Sequence, residues 1–320
     1  MDILRLAGPP GVGKSTVAWT IVQRLIAERE RVAYVDIDQL AMCYPAPDED
    51  PERWALRDDA LTRITREYRR AGIERLVVSG VASPDASPPK STTCSVRSLW
   101  LDATEDVRRL RLAPRGWNVE QMESAVEDGA SDSARVVDGW ERLATGDLSV
   151  DATADVIVDR WITGAVTRYR AGEIIGPSCV TGSPVLWITG PRCVGASMVG
   201  WEVAQQGWRA GRRRGFADAT QLDFTWNIEG AVGLRNLVAL HQTFTAAGAE
   251  SLVITAPLRF EPTAVRAAFA ATSVSFVRLD ASEAALLDRA LARTCGEGPM
   301  RLFTDDGVVC ADGTGASLRR

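Results

Sequence analysis

The stretch "DILRLAGPPGVGKSTVAWTIVQRLIAERE", residues 2–30, leaves the chain few ways to fold. An apolar run, Ile3 to Ala7, enters a glycine-rich loop, and Val17, Ile21 and Leu25 then recur at helical spacing. Gly8, Gly13, Lys14 and Ser15 fit the spacing Gly-x4-Gly-Lys-Ser without a gap. Glycines let backbone N–H groups converge on phosphate oxygens, and a helix opening at Lys14 adds the positive end of its dipole. The loop residues Gly8, Pro9, Gly11, Val12, Gly13, Lys14, Ser15 and Thr16 are therefore expected to hold a nucleotide, with the Ser15 hydroxyl offered to Mg2+. Composition sharpens the point. Of 37 basic residues only Lys14 and Lys90 are lysine, so the loop takes a slim point charge in a chain that elsewhere uses arginine.

The same frame returns. "AGPPGVGKSTVAW" (7–19) and "TGPRCVGASMVGW" (189–201) agree at seven of thirteen positions, but Ala196 stands where the lysine should be. "YVDIDQL" (34–40) pairs with "FADATQL" (216–222), setting Asp36 against Asp218 and Asp38 against Thr220. "RRAGIERLVVSG" (69–80) pairs with "TAAGAESLVITA" (245–256), and "LWLDATEDVRRLR" (99–111) with "VRLDASEAALLDR" (277–289). Four blocks in one order indicate an internal duplication whose period is a whole domain. The expected architecture is α/β: two tandem units, each a mostly parallel sheet flanked by helices. Residues 1–172 form the first, 173–184 a Gly/Pro/Ser-rich linker and 185–320 a second that lacks the lysine. In the first unit, strands are expected near 3–7, 32–36, 75–79, 96–101 and 155–158. A helix over 53–70 should place Trp54, Leu61, Ile64 and Tyr68 on one face. "ADGTGASLRR" (311–320) reads as a loose tail. The second loop is expected to have lost its phosphate chemistry, the competing idea being that Arg192 substitutes for the missing lysine.

A net charge of −5 gives no reason to expect nucleic acid or an anionic membrane as partner. No apolar run approaches the roughly 20 residues of a membrane helix. The six cysteines show no paired spacing, which fits reduced thiols and a cytoplasmic location. His241, the one histidine, lies at helical spacing with Leu237 and Phe244 and reads as a partly buried structural residue.

Over residues 1–172 the order of elements resembles the P-loop small-molecule kinases, the group of shikimate, gluconate, adenylylsulfate and nucleoside monophosphate kinases. "VDID" (35–38) is similar to the Asp-x-Asp of the shikimate kinase pattern at the end of the second strand. Strand alternation would send Asp36 and Asp38 in one direction, into the crevice where such folds hold ligands. The resemblance implies ATP and Mg2+ as cofactors, Asp36 near the metal and Asp38 holding or deprotonating an acceptor hydroxyl. The bland alternative is that both aspartates cap the following helix. "LVVSG" (76–80) occupies the Walker B position but ends in Ser79–Gly80 rather than a carboxylate. "VRRLRLAPRGW" (107–117) is similar to the start of a kinase lid. There Arg108, Arg111 and Arg115 share a helix face or its exit, with Arg111 and Arg115 the candidates to meet the migrating phosphoryl group. An arginine-rich solvated face is the competing reading. The expected activity is transfer of the γ-phosphoryl group of ATP to a hydroxyl of a small molecule, the second copy packing against the first. The rival reading is an ATP-binding or ATP-hydrolysing switch or scaffold with a protein partner.

Overall fold

A computed structural model of the chain describes residues 1–88, 94–115, 117–163, 182–228 and 232–294. Before the linker come β1 (Asp2–Ala7), α1 (Lys14–Ala27), β2 (Val32–Asp36), β3 (Cys43–Tyr44), α2 (Trp54–Arg70), β4 (Arg75–Ser79), β5 (Ser95–Asp102), α3 (Glu105–Leu112), α4 (Val119–Arg135), β6 (Glu141–Ala144) and α5 (Val150–Thr163). After it come β7 (Val185–Gly190), α6 (Ala196–Arg209), β8 (Arg214–Asp218), β9 (Thr225–Trp226), α7 (Gly233–Ala246), β10 (Ser251–Pro257), α8 (Pro262–Ala268), β11 (Val274–Arg278) and α9 (Glu283–Thr294). Linker residues 173–181 and the tail 311–320 lie outside the described residues.

The chain divides into two compact units, and each takes a segment from the far side of the linker. The first holds Met1–Ala41, the described residues from Asp48 to Thr163, and Gln221–Leu240. Its sheet runs β6-β5-β1-β4-β2-β9, parallel throughout except for β9, which pairs antiparallel to β2. Strands β1, β2 and β4 are apolar with hardly a break because helices cover a parallel sheet on both faces. The β9 arm is locked by its aromatic residues. Phe224 O accepts from Tyr34 N at 3.0 Å, while Trp19 sets its ring edge against Tyr34, Phe224 and Trp226, with centroids 5.6–6.0 Å away.

The second unit contains Met42–Pro47, the described residues of 182–220, and those from His241 onward. Its sheet runs β11-β7-β10-β8-β3, again parallel except for the last strand. Here β3 is the arm. Phe216 N donates to Met42 O at 2.7 Å, and the Arg213 guanidinium donates to Pro45 O at 2.9 Å and Ala46 O at 3.2 Å. Both arms are two residues long and occupy the same place in the strand order.

The expected strands at 3–7, 32–36, 75–79 and 96–101 are present as β1, β2, β4 and β5. The strand expected at 155–158 is not: those residues lie inside α5. "VIV" is apolar enough for a strand, but Thr153, Ala154, Ile157 and Trp161 are buried at helical spacing while Asp151 and Asp155 reach Arg24 on α1. The next strand of the sheet is instead β6. Helix α2 starts at Trp54, one residue later than expected, and its buried face is Leu56, Arg57, Ala60, Ile64 and Tyr68, so Ile64 and Tyr68 of the expected face are buried while Trp54 and Leu61 are only half-buried. His241 is buried, its Nε2 2.7 Å from Ser183 O, and burial lowers its pKa.

Candidate functional site

The loop between β1 and α1 is built from three glycines at positive φ: Gly8 at 138°, Gly11 at 87° and Gly13 at 92°. A side chain on Gly8 would place its Cβ 2.2 Å from Leu101 O, and one on Gly11 would come within 3.1 Å of the Arg108 backbone. The loop thus presses against α3 with no room for substituents. Helix α1 opens directly after Gly13, leaving first-turn N–H groups without partners inside the helix. Lys14 Nζ donates to Pro9 O at 2.9 Å, which holds the ammonium over the loop.

At the end of β2 the chain makes a 3-10 turn, Ile37–Ala41, so Asp38 is not on the strand and the alternation argument does not apply to it. The two carboxylates converge by another route. Asp36 Oδ1 accepts from Asp38 N at 2.9 Å, and Gly80, just beyond β4, lies beside both. A Cβ on Gly80 would sit 3.2 Å from Asp36 Oδ1 and 3.5 Å from Asp38 Cγ. The capping alternative holds in part: Asp36 caps the 3-10 turn, whereas α2 begins after Arg53. Burial and the neighbouring Asp38 charge push Asp36 up to about 7, against the Asp38 N–H and the Lys14 ammonium. At the Walker B position Ser79 Oγ lies 2.7 Å from the Tyr34 hydroxyl.

Sequence reasoning missed two arginines. Arg57 on α2 is buried, its Nε 4.0 Å from Asp38 Oδ1 and its guanidinium over the Trp54 ring at 4.6 Å. Arg5 is buried on the central strand β1, 3.7 Å from the more exposed Asp58 and 5.7 Å from the Trp140 ring centroid. Its Nη1 makes no hydrogen bond among the described residues. Burial, then the Arg57 charge, works against the Arg5 cation, and Asp58 works for it. A charge inside "DILRLA" was the available signal.

The lid arginines have separate jobs. Arg108 is buried and donates to Pro10 O, Val126 O and Ala125 O at 2.6–3.0 Å, tying the loop to α4. Arg111 donates to Val12 O at 3.4 Å, Thr145 Oγ1 at 3.2 Å and Thr145 O at 2.9 Å. The Arg115 side chain lies outside the described residues.

The second loop repeats this frame. Gly190 approaches Leu279 O as Gly8 approaches Leu101 O, Gly195 has φ 97°, and Cys193 takes a positive φ of 65° where the first loop has Gly11. Arg289 donates to Val194 O at 3.0 Å, repeating the contact of Arg111, its aligned residue. Thr220 N donates to Asp218 Oδ1 at 2.9 Å.

Among the described residues no cluster of three or more His, Cys, Asp or Glu is suited to a metal ion. Ser15 and Asp36 still fit Mg2+, a hard cation that keeps several waters and takes phosphate oxygens rather than an all-protein cage. No described helix is long and apolar enough to cross a membrane.

Residues 5–137 match the AAA domain family. A cytidylate kinase of Halobacterium salinarum is 27% identical over 203 residues, spanning 55% of this chain and 95% of the relative. A shikimate kinase structure from Bacteroides thetaiotaomicron shares 19% identity over 50% of this chain and 95% of its own, with a TM-score of 0.28. The loop geometry and the family match over residues 5–137 support a P-loop α/β fold, and the chain is similar to a cytidylate kinase.

Proposed function

We propose that the first unit is an ATP- and Mg2+-dependent phosphotransferase that moves the γ-phosphoryl group to a hydroxyl of a small anionic molecule. The observation that carries the reading is the meeting of the Lys14 loop, the Asp36–Asp38 pair and Gly80 in one place, with Arg57 facing Asp38. The loop amides and Lys14 hold the outer phosphates and offset their charge. Ser15 and Asp36 would hold Mg2+, which when bound neutralises charge on the β- and γ-phosphate oxygens. Asp38 takes the proton of the acceptor hydroxyl. The acceptor oxygen bonds to the γ-phosphorus, the bond to the bridging oxygen breaks, and ADP leaves.

Arg57 and Arg5 supply the reason for an anionic acceptor. Buried Arg5, whose Nη1 makes no hydrogen bond among the described residues and whose carboxylate neighbour Asp58 is exposed, lies where the Arg57 charge adds to its own, and a carboxylate or phosphate on the acceptor would pair with it. The cytidylate kinase relative favours one variant of this reading, in which the receiving oxygen belongs to a phosphate and needs no deprotonation. Arg111 acts through the loop: Arg289 makes the equivalent contact at a loop without lysine, so the contact shapes the loop rather than the phosphoryl group. Arg115 keeps the proposed role of meeting the phosphates from the lid. The second unit is a degenerate duplicate, and the chain functions as a soluble cytoplasmic protein.

Acceptor-stimulated ADP release, screened over hydroxylated carboxylates, sugar phosphates and cytidylate, tests the reading. With a hydroxyl acceptor, Asp38→Asn should leave ATP affinity nearly unchanged and slow transfer by about 10²- to 10⁴-fold, the usual worth of a positioned base. Native turnover by that variant would remove Asp38 from the chemistry. No stimulation by any acceptor would remove the phosphotransferase reading.

A further inference from the structure

Two carbonyls of the first loop are held from outside it. Val12 O accepts from Thr145 Oγ1 at 2.9 Å and from Arg111 at 3.4 Å. Pro10 O accepts from Arg108 Nε at 2.9 Å, while Nη1 and Nη2 of the same guanidinium donate to Val126 O and Ala125 O. Arg108 is 1% exposed, and all three partners are neutral carbonyls. Burial works against its charge, and the carboxylates that favour it are engaged elsewhere: Asp102 by Ala103 N and Ser133, Glu105 by Arg109, Asp132 by Arg135. Gly129 on α4 leaves room for the guanidinium, since a Cβ there would stand 2.1 Å from Arg108 Nη2 and 2.5 Å from Pro9 Cβ. Glycine weakens a helix interior, so this one marks a seat shaped for Arg108.

The second loop keeps one hold and lacks the other. Arg289, aligned with Arg111, still reaches Val194 O. Leu286 stands where Arg108 would be, and Arg192 and Cys193 replace Pro10 and Gly11. The Arg108 hold is thus missing from the loop that also lacks the lysine.

What Arg108 fixes is the orientation of one peptide. Among the described residues the cis bond is Tyr44–Pro45, so Pro10–Gly11 is trans. In a planar trans peptide the C=O and N–H point in opposite directions. With Pro10 O turned to the guanidinium, the Gly11 N–H points away from it, and no hydrogen bond among the described residues takes that N–H. Pro9 and Pro10 have no N–H, so Gly11 carries the first amide donor after Gly8. We propose that Arg108 is a positioning residue that aims the Gly11 N–H at a phosphate oxygen of the bound nucleotide. As a cation on the carbonyl side, it also polarises that peptide to donate more strongly. The proposal rests on the nucleotide reading of the Lys14 loop.

The chain contains one Pro–Gly step, so labelling with 1-13C-proline and 15N-glycine isolates the Gly11 amide in NMR spectra of the full chain. Arg108→Leu gives the first loop the second unit's residue. In the native chain the Gly11 amide proton should move downfield on saturation with ATP. In Arg108→Leu that shift should be lost while the Gly13 amide, behind the separately held Val12 O, still moves. Calorimetric ATP affinity should fall about 10- to 100-fold, the range for one hydrogen bond to a charged group. Arg108→Lys, which retains a charged donor for Pro10 O, should recover part of both. If Arg108→Leu does not fold, Gly129→Ala carries the test: it keeps the arginine, fills its seat, and should weaken the Gly11 shift and the affinity together. Unchanged affinity in the folded variant overturns the proposal. So does a lower affinity with the Gly11 shift intact, which would mark Arg108 as a packing residue. If the native chain binds no ATP, the nucleotide reading falls and the proposal with it.

Discussion

Phe224 belongs by sequence to the second half, beyond the linker, but by position to the unit that carries Lys14. It is 5% exposed and packs its ring against Trp19 at 5.9 Å, Tyr34 at 6.1 Å and Trp226 at 6.0 Å. Phe224→Ala keeps the backbone bond from Tyr34 N and empties the volume between those three rings. Truncating a buried phenylalanine costs about 3–5 kcal/mol, and an arm of two residues can relax into part of the space, so about 3 kcal/mol is expected. Urea unfolding followed by tryptophan fluorescence measures it, and ATP identifies the unit. A ligand stabilises only the transition of the unit that binds it. The transition that ATP shifts upward should be the one that Phe224→Ala shifts downward. Met42→Ala, the mirror change at the other arm, should move the transition that ATP leaves alone. A Phe224→Ala loss below about 1 kcal/mol, or one confined to the ATP-insensitive transition, would refute the placement of 221–240 in the first unit.

Asp36, raised from an ordinary 3.8 to about 7, makes the metal-free protein pH-sensitive. The folded state holds the proton where the unfolded chain has lost it, so the penalty of this group grows as pH climbs from about 4 and is complete above about 7. In EDTA, Asp36→Asn should therefore be more stable than native at pH 8, by at most ~4 kcal/mol, and equal to it near pH 4; a pH-independent difference in thermal unfolding would contradict this. Lys14→Ala should abolish ATP binding in calorimetry, while Ala196→Lys should add no second tight site, because Asp218 is already engaged by Ser197. Two equivalent ATP sites in the native chain would defeat that expectation.

The phosphate loop was legible because its requirements are local: glycines at fixed intervals, a lysine and flanking patterns all lie within one continuous stretch. Strands β1, β2, β4 and β5 were legible as apolar runs, and the same signal misled at 155–158, where a short apolar run in a helix looks like a strand. Arg5 and Arg57 were not legible as a pair, since 52 positions separate them and only the packing of α2 on the sheet brings their charges together. Arg111 showed that spacing can assign a face but not a partner: the carbonyl it holds belongs to a loop 99 positions away. The arms β3 and β9 left no periodic trace, because two residues cannot display a period.

Those arms bear on why a chain would keep a phosphate loop without its lysine. The sheet that presents Asp36 is finished at its edge by residues encoded after the linker, and the sheet of the lysine-free unit is finished by residues encoded before it. Neither half is a transferable cassette. A deletion of everything after the linker would also strip the edge strand and its aromatic residues from the first unit. The lysine-free unit thus has a structural use that does not depend on phosphate chemistry: its half of the chain supplies the edge strand of the sheet that presents Asp36.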